Sequence, residues 1–428
     1  MIAFLKNNQK STRDQAQPCT GAWLPAMGPT GIARLVYVLL AAFWATMSPA
    51  QTLGTALEQS WARHPQAAAF TARETEALAR ADLAAGYLPA PPKLSLSNAN
   101  DRLNAASGKD TWELELAMPV WLVGQRAAQQ TAATVGLSDL SARRAALRLQ
   151  LAGEVREAWW GVATARDALD MAKQREAAAR HLQSDVQRRL QAGELARMEA
   201  NLADIERLNA EAETQDAQGA LDLALQAYRA LTGNEAPVAL PEETLATVAP
   251  APDQHPQRIA ADVAAEGAQA RLALALTTTR EAPELAVRWA RDRSENGASY
   301  ADSLGIKFTL PLGSASRARL NTATATAEVA EVEAEAALLQ QRLSQDTLRA
   351  QRALQNARAQ LDRAEQRWAL ASDAVKLSEK SYALGELDLA GLLRARALAW
   401  DAAAQRAKQR TALAASISRV NQSLGVMP

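Results

Sequence analysis

The side chains that could carry out chemistry are few in this chain. Its 428 residues include three histidines, His64, His181 and His255, and a single cysteine, Cys19. Zinc sites need several histidines or cysteines close together, so this supply argues against a metal site of that kind. The sequence also lacks a phosphate-binding loop, a nucleophile elbow and a histidine at useful spacing from a carboxylate. We therefore expect neither an enzyme nor a bound cofactor.

The side chains that do recur are acidic and lie in two matching turns. The first turn is Gly193-Glu194-Leu195, and the second is Gly385-Glu386-Leu387, followed by Asp388. A glycine at such a turn can end a helix with positive φ, but a cap alone does not require Glu and Leu after it in both places. We expect these tips to dock a partner or to gate a pore. The acids Glu194, Glu386 and Asp388 would favour cations if they ring a pore mouth. The alternative is that they complement the dipole of a helix N-terminus.

The two turns belong to a tandem repeat that spans most of the chain. Several pairs of residues are separated by 192 positions, namely Pro91 and Pro283, Pro119 and Pro311, Gly193 and Gly385, and Gly233 and Gly425. A period of this length makes each copy a whole structural unit and not one turn of a solenoid. The expected divisions are a leader at residues 1–50, a first repeat at 51–234, a proline-rich linker at 235–256 and a second repeat at 257–428.

Composition predicts very long helices in each repeat. Residues 120–236 and 312–427 contain no proline and are rich in Ala, Leu, Glu, Gln and Arg, which favour helix. Each stretch is broken once, near Gly193 or Gly385. Apolar residues follow a heptad pattern from Val329 to Leu343 and again from Leu354 to Val375, with a register shift between the two series. A further helix is predicted from Leu57 to Tyr87.

Four short segments alternate apolar and polar residues, which is typical of half-buried strands. Their length of about 9 residues matches strands that span a bilayer. We expect one face to contact lipid through Leu114, Leu116, Ile306 and Phe308. The opposite face would meet water through Glu113, Glu115 and Lys307. The first strands of the two repeats are out of register by one residue, so a bulge or a loop change is expected there.

Lipid excludes a sheet with unpaired edges, and four strands cannot close a barrel. Several chains must therefore share one barrel, with the charged side chains facing a wet lumen. Trp112, Trp121, Trp289 and Tyr300 could then form belts at the membrane surfaces. The alternative is a small soluble sheet on a helical body. His64 and His255, each followed by proline, are expected to be structural.

The start of the chain predicts export, and its charge argues against one class of partner. Arg34 precedes an apolar run from Leu35 to Met47, and small residues follow up to Ala50, as in a secretory signal with cleavage near Ala50. No cysteine follows this run, so no acyl anchor is expected. The 47 basic and 47 acidic residues leave no net charge, which argues against nucleic-acid binding.

With its tandem repeat, paired hairpins and helical tips, the sequence resembles the TolC-like outer-membrane efflux factors, most closely their heavy-metal efflux branch. The resemblance covers residues 53–427, including the tips Arg188 to Leu195 and Tyr382 to Asp388. It implies a mainly α fold with a small β part. It further implies a homotrimer, with one twelve-stranded barrel in the outer membrane and a twelve-helix tunnel in the periplasm.

The same resemblance implies the partners and the function. A periplasmic adaptor would dock at the tips, and an inner-membrane pump of the resistance-nodulation-division type would complete a tripartite efflux system. The chain would conduct substrate passively from the periplasm to the exterior, with heavy-metal cations as a candidate substrate. The alternative function is a secreted periplasmic coiled-coil scaffold or adaptor with soluble hairpins.

Overall fold

The computed structural model describes residues 52–103, 107–247, 250–313 and 315–428. The predicted leader, with Cys19, Arg34 and the cleavage site near Ala50, lies outside these residues. The described part is mainly helical with a small antiparallel sheet, which confirms the expected fold class at that level. None of its helices combines the length and the apolar character that a membrane span requires.

Each repeat consists of a leading helical segment, a β-hairpin, a very long helix and a returning helix. The first repeat contains α1 (Leu53–Arg63), α2 (Pro65–Ala85), β1 (Lys93–Asn100), β2 (Asp110–Pro119), α3 (Gln125–Gln191) and α4 (Arg197–Thr232). A short 3-10 helix (Pro252–Gln254) then precedes α5 (Pro256–Thr277), β3 (Glu284–Arg293), β4 (Ala301–Thr309), α6 (Ala315–Ala383) and α7 (Leu389–Ser423). With 67 residues in α3 and 69 in α6, each long helix extends about 100 Å.

Two His-Pro pairs start helices at equivalent places in the repeats. The predicted helix from Leu57 to Tyr87 is instead two helices, because Pro65 lacks an N–H and occupies the first position of α2. His64 Nδ1 accepts a hydrogen bond from the Gln66 N–H at 3.3 Å. His255 Nδ1 accepts one from the Gln257 N–H, also at 3.3 Å. Both histidines are N-caps, so the expectation of a structural role is confirmed.

The two N-cap histidines differ in burial, and the buried one, His255, should make the stability of the fold depend on pH. His255 is 6% exposed, and desolvation holds its pKa below the usual value. Below about pH 6.5 the unfolded chain binds a proton at this position that the folded chain resists, so stability should fall as the pH drops through that window. His255→Asn keeps a capping side chain without a titrating ring and should flatten this decline.

Thermal unfolding of the detergent-solubilised protein at neutral pH and at about pH 5 tests this expectation. His64→Asn, at the half-buried cap of α2, is the matched control. Equal acid sensitivity of the His255→Asn protein and the unmodified protein would contradict it.

The heptad series of α6 packs against two different helices in turn. Its first part lies on α5, where Arg271 pairs with Glu328 at 2.8 Å. Its second part lies on α7, where Arg396 pairs with Glu379 at 2.8 Å. The change occurs near Thr347, whose hydroxyl donates to the Ser423 carbonyl at 3.0 Å. The register shift that the sequence shows between Leu343 and Leu354 therefore falls where α6 exchanges one packing partner for another.

The apolar core lies where α1, α3, α4 and α7 meet. Trp159 and Trp160 are buried there, and Trp160 donates to the Ser418 hydroxyl at 2.8 Å. Both tryptophans therefore serve packing within the helical part. Leu53, Ala56, Tyr228 and Ala414 belong to the same cluster.

One arginine beside this core holds three segments together. The Arg156 side chain is only 3% exposed. It donates to both carboxylate oxygens of Glu243 at 2.6 and 3.0 Å, to the Gln422 amide oxygen at 2.5 Å and to the Val426 carbonyl at 3.0 Å. The stretch between α4 and α5 is thereby joined to α3 and to the end of the second repeat. Asn421 adds bonds to the Thr244 carbonyl and the Ala246 N–H.

The two hairpins form one sheet in the order β1-β2-β3-β4. The pair Leu94–Leu116 in the first hairpin corresponds to the pair Leu285–Phe308 in the second. The members of the first pair are 22 positions apart in the sequence, whereas those of the second pair are 23 positions apart. Each register is uninterrupted, so the one-residue difference lies in the connecting loops and not in a bulge. The additional residue in the second hairpin compensates for the additional residue that the first repeat has between Pro91 and Leu94.

Candidate functional site

One face of the sheet is apolar and exposed. The strand registers align two rows of side chains, Leu94, Leu116, Val287 and Ile306 in the first and Leu96, Leu114, Trp289 and Leu304 in the second. Phe308 lies on the same face, and Ile306 is 79% exposed. The four residues predicted to contact lipid therefore share a single open face.

The opposite face is charged, and the two acids predicted for it are paired. Glu113 lies 3.2 Å from Arg288, and Glu115 lies 3.1 Å from Lys307. Lys307 reaches β2 across β3, over the small side chain of Ala286. The three charged residues predicted for a wet face do lie together, and Glu113 and Glu115 each have a basic partner.

A third pair on this face was missed by sequence reasoning. Lys93 Nζ lies 2.8 Å from the Glu284 carboxylate and links β1 to β3. Its members are separated by 191 positions, so no local pattern signals the contact. Glu115 and Lys307, by contrast, are separated by the repeat offset of 192. Opposite charges at equivalent positions of the two repeats could have signalled that pair.

The aromatic residues are distributed along the strands. Trp112 and Tyr300 lie at the loop end of the sheet, where the Tyr300 hydroxyl and the Trp112 indole N–H both donate to Asp110. Trp121 lies at the opposite end and donates to the Gly86 carbonyl at 3.3 Å. Trp289 pairs with Leu114 in the middle of β3 and does not lie with either group.

Both predicted tips are glycine-capped helix ends. Gly193 and Gly385 have φ of 78°. The Glu194 N–H donates to the Arg189 carbonyl, and the Glu386 N–H donates to the Ser381 carbonyl, each at 2.9 Å. These bonds span the same number of residues in both repeats and satisfy carbonyls at the ends of α3 and α6. The chain then reverses into α4 and α7.

The tips of the two repeats pack against each other. A buried cluster joins them and contains Leu182, Val186, Ala200, Ala203, Leu389 and Leu392. Leu195 and Leu387 are partly buried against this cluster, so much of their apolar surface is used within the chain. The apolar side chains that remain open are Met198 and Leu384, which are 69% and 67% exposed. Sequence reasoning missed both, because nothing in the turn motif indicates which way each side chain points.

The tip acids differ in their partners. Glu194 accepts a hydrogen bond from Arg189 at 3.3 Å. Arg189 also lies over the Tyr382 ring, 5.6 Å from its centre, and so connects the first tip to the second. The pKa of Arg189 is raised, first by its hydrogen bond with Glu194 and then by Tyr382. Asp388 caps α7 by accepting from the Gly391 N–H at 2.8 Å. Glu386 is exposed, with no ion pair among the described residues.

Within the described ranges, no three His, Cys, Asp or Glu side chains are grouped closely enough to hold a metal ion. The geometry instead combines a sheet that is apolar on one side and charged on the other with two packed helical tips. This arrangement suits a protein that spans an interface and meets a partner.

The comparisons with known proteins agree with this arrangement. Residues 56–234 match the model of the outer membrane efflux protein family. This match confirms for the first repeat the resemblance to the TolC-like outer-membrane efflux factors. A comparison with curated proteins finds no match.

Solved membrane proteins share the fold over both repeats. VceC from Vibrio cholerae has a TM-score of 0.71 and 18% identity, over 87% of this chain and 96% of its own. CmeC from Campylobacter jejuni has a TM-score of 0.71 and 17% identity, over 87% of this chain and 85% of its own. CusC, which forms a transmembrane channel, has a TM-score of 0.71 and 16% identity, over 90% of this chain and 94% of its own. At these identities the likeness establishes the fold.

Proposed function

We propose that the protein is the outer-membrane channel of a tripartite efflux system and conducts substrate passively from the periplasm to the exterior. The observation that carries this proposal is the match of residues 56–234 to the outer membrane efflux protein family. The sheet supports it, because its large exposed apolar face needs lipid while its opposite face carries paired charges that suit water. The helical part then lies in the periplasm.

The open sheet supports assembly into a trimer. Among the described residues, β1 and β4 each pair on one side only. An unpaired strand edge in lipid leaves N–H and C=O groups without partners, so β4 of one copy must pair with β1 of the next. Three copies would close a barrel of twelve strands. The long helices of three copies would likewise form the tunnel.

The tips are the proposed contact with a periplasmic adaptor, which would link the channel to an inner-membrane pump of the resistance-nodulation-division type. Met198 and Leu384 offer exposed apolar surface there, beside the turns at Gly193 and Gly385. For heavy-metal cations as substrate, Glu386 is the strongest candidate for attracting charge at the mouth. Glu194 and Asp388 are already engaged with Arg189 and with the start of α7.

Reconstitution tests the channel function directly. The purified protein should be a detergent-dependent trimer from the outer-membrane fraction and should conduct ions in a planar bilayer. Glu386→Gln should lower the cation preference of that conductance, because it removes one charge per copy from the mouth. A water-soluble monomer without conductance would overturn the proposal in favour of a soluble scaffold or adaptor.

The proposed lipid contact predicts different labelling of neighbouring residues on β1. In a chain whose Cys19 is replaced by serine, Ser95→Cys should react quickly with a membrane-impermeant thiol reagent and Leu94→Cys slowly. The reason is that Ser95 pairs with Glu115 on the charged face and Leu94 pairs with Leu116 on the apolar face. Faster labelling at position 94 than at 95 would reverse the assignment of the faces.

Leu116→Arg should lower the free energy of unfolding by about 2–4 kcal/mol if residue 116 lies near the midplane of the membrane.

A further inference from the structure

Two arginines lie together on the apolar face of the sheet, directly beyond its last apolar row. Arg291 pairs across the strands with Trp112 on one side and Asp302 on the other, one row beyond Trp289. Arg293 follows two residues later on the same strand, so its side chain leaves the sheet on the same face, about 7 Å further along. The face proposed to contact lipid therefore ends in two guanidinium groups at the loop end of the sheet.

The side chains of Arg291 and Arg293 are held close together. The central carbon atoms of their guanidinium groups lie 4.9 Å and 5.0 Å from the centre of the Tyr300 ring, within the distance of a cation–π contact. The Tyr300 hydroxyl donates to Asp110 at 3.0 Å, and Arg293 Nε donates to the Gly108 carbonyl at 3.1 Å. The ring and the hairpin loop thus position both cations before a ligand binds, which lowers the entropic cost of binding.

Neither guanidinium group donates a hydrogen bond to a carboxylate in the part of the chain that the structure describes. Arg291 Nε lies 3.9 Å from the Asp302 carboxylate, beyond hydrogen-bond distance, and the two side chains are 48% and 58% exposed. Arg293 is partly exposed and forms no ion pair among the described residues. Asp110, the other acid on this face, already accepts three hydrogen bonds from side chains. The Nη groups of both arginines are therefore available to an anion.

The position of these cations selects the ligand. In the proposed channel the opposite ends of the strands continue into the periplasmic helices, so the loop end of the sheet faces the exterior. Trp112 shares a row with Arg291, and tryptophan is typical of the level at which a barrel meets the membrane surface. Cations on the lipid-facing side at this level meet lipid headgroups and not the lumen. Arginine binds phosphate through two parallel N–H groups, so a headgroup that carries phosphate is the anion that fits.

We propose that Arg291 and Arg293 bind the phosphorylated headgroup of a lipid in the outer leaflet of the outer membrane. The phosphate oxygens accept hydrogen bonds from the Nη groups of both arginines, and the acyl chains lie along the apolar rows that contain Trp289 and Ile306. This inference rests on the proposed channel function, because that function places the sheet in the membrane. Each chain supplies one such site on the outside of the shared barrel.

Native mass spectrometry of the assembled, delipidated protein in detergent tests the proposal. The probe is lipid A, a glycolipid with phosphate groups and several acyl chains, and the reference is the same lipid with its phosphates removed. The affinity for the phosphate-free lipid should be about tenfold lower, because the charge-assisted hydrogen bonds are lost. Millimolar inorganic phosphate should displace little lipid A, since it lacks the acyl chains that contact the apolar rows.

Three variants separate this site from a general attraction of lipid to the sheet. Arg293→Gln should lower the affinity for lipid A about tenfold, since it removes the arginine that forms no ion pair. Arg288→Gln is the matched control, because it removes the same charge from the opposite face of the same strand, where Arg288 lies 3.2 Å from Glu113, and it should leave the affinity unchanged. Asp302→Asn should raise the affinity about threefold, because it removes a carboxylate that competes for Arg291.

Equal affinity of the unmodified protein for the two lipids would overturn the proposal, even if a variant fails to assemble. An equal effect of Arg293→Gln and Arg288→Gln would also overturn it. Complete displacement of lipid A by inorganic phosphate would assign the arginines to free phosphate and so contradict the proposal as well. A detergent-dependent trimer with any of these results fails only this inference, whereas a water-soluble monomer would overturn it together with the channel function.

Discussion

Replacing Arg156 with leucine is expected to lower the free energy of unfolding by about 3–5 kcal/mol. The arginine is 3% exposed and binds both oxygens of Glu243, whose side chain is itself only 13% exposed. Removing the arginine leaves that carboxylate buried without its counter-ion. It also deprives the Gln422 amide and the Val426 carbonyl of a donor. Chemical denaturation followed by tryptophan fluorescence measures the loss, because Trp159 and Trp160 lie on the same helix.

An exposed ion pair between α3 and α7 provides the control. Arg419 of α7 lies 2.9 Å from Glu157 of α3, but both side chains are more than half exposed. Arg419→Leu should therefore cost about 0–1 kcal/mol. Replacing Arg156 and Glu243 together with leucine should recover a large part of the loss, since no charge is then left buried. The interpretation fails if Arg156→Leu costs no more than Arg419→Leu.

Gly385→Trp is expected to stop export while leaving assembly and the sheet intact. Within the part of the chain that the structure describes, no atom outside the immediate turn lies within 4 Å of the position that a Cβ would occupy, so the indole would project into solvent at the tip. The backbone strain at φ of 78° costs about 1–2 kcal/mol, which is too little to unfold helices of this length. An adaptor that docks on the tips would meet the indole first. The measurement is export from cells that lack their own channel, together with crosslinking to the adaptor.

Gly297 offers a control with the same backbone problem at a different place. It has φ of 90°, no atom of the described residues outside the immediate turn lies within 4 Å of its Cβ position, and it belongs to the loop between β3 and β4. Gly297→Trp should export normally. If both variants lose export to the same degree, backbone strain at the glycine causes the loss, and a blocked adaptor contact does not. If the Gly385→Trp protein exports normally and crosslinks to the adaptor as before, the tips act only as helix caps and do not dock the adaptor.

The sequence predicted those parts of the fold that local residue patterns determine. The long helices follow from the absence of proline, and the turns at Gly193 and Gly385 follow from a glycine that must take positive φ. The two faces of the sheet follow from alternation, because neighbouring residues in a strand point in opposite directions. Even the register shift in α6 could be read from heptad spacing. Pro65, by contrast, breaks a helix that composition alone predicted to be continuous.

The parts that sequence did not predict depend on contacts between distant residues. Arg156 resembles any other arginine on a long helix until Glu243, Gln422 and Val426 surround it. Leu195 and Leu387 were expected to offer apolar surface to a partner, yet they pack in part on their own chain, because the two tips meet. The docking and lipid-contact roles themselves stay predictions until the variants above are measured.

The different lengths of the two hairpins limit which parts of the repeats can be exchanged. The first repeat has one more residue between Pro91 and Leu94 than the second has between Pro283 and Leu285, and the second hairpin regains that residue in its loop. Either change alone would shift the register of one strand by one residue. Every side chain of that strand would then lie on the other face of the sheet, and its leucines would lie on the charged face. The two changes therefore compensate each other. A chimaera that exchanges only the loop would invert a strand, whereas a graft of the entire hairpin, from the proline before its first strand to the proline that follows its second, would preserve both faces.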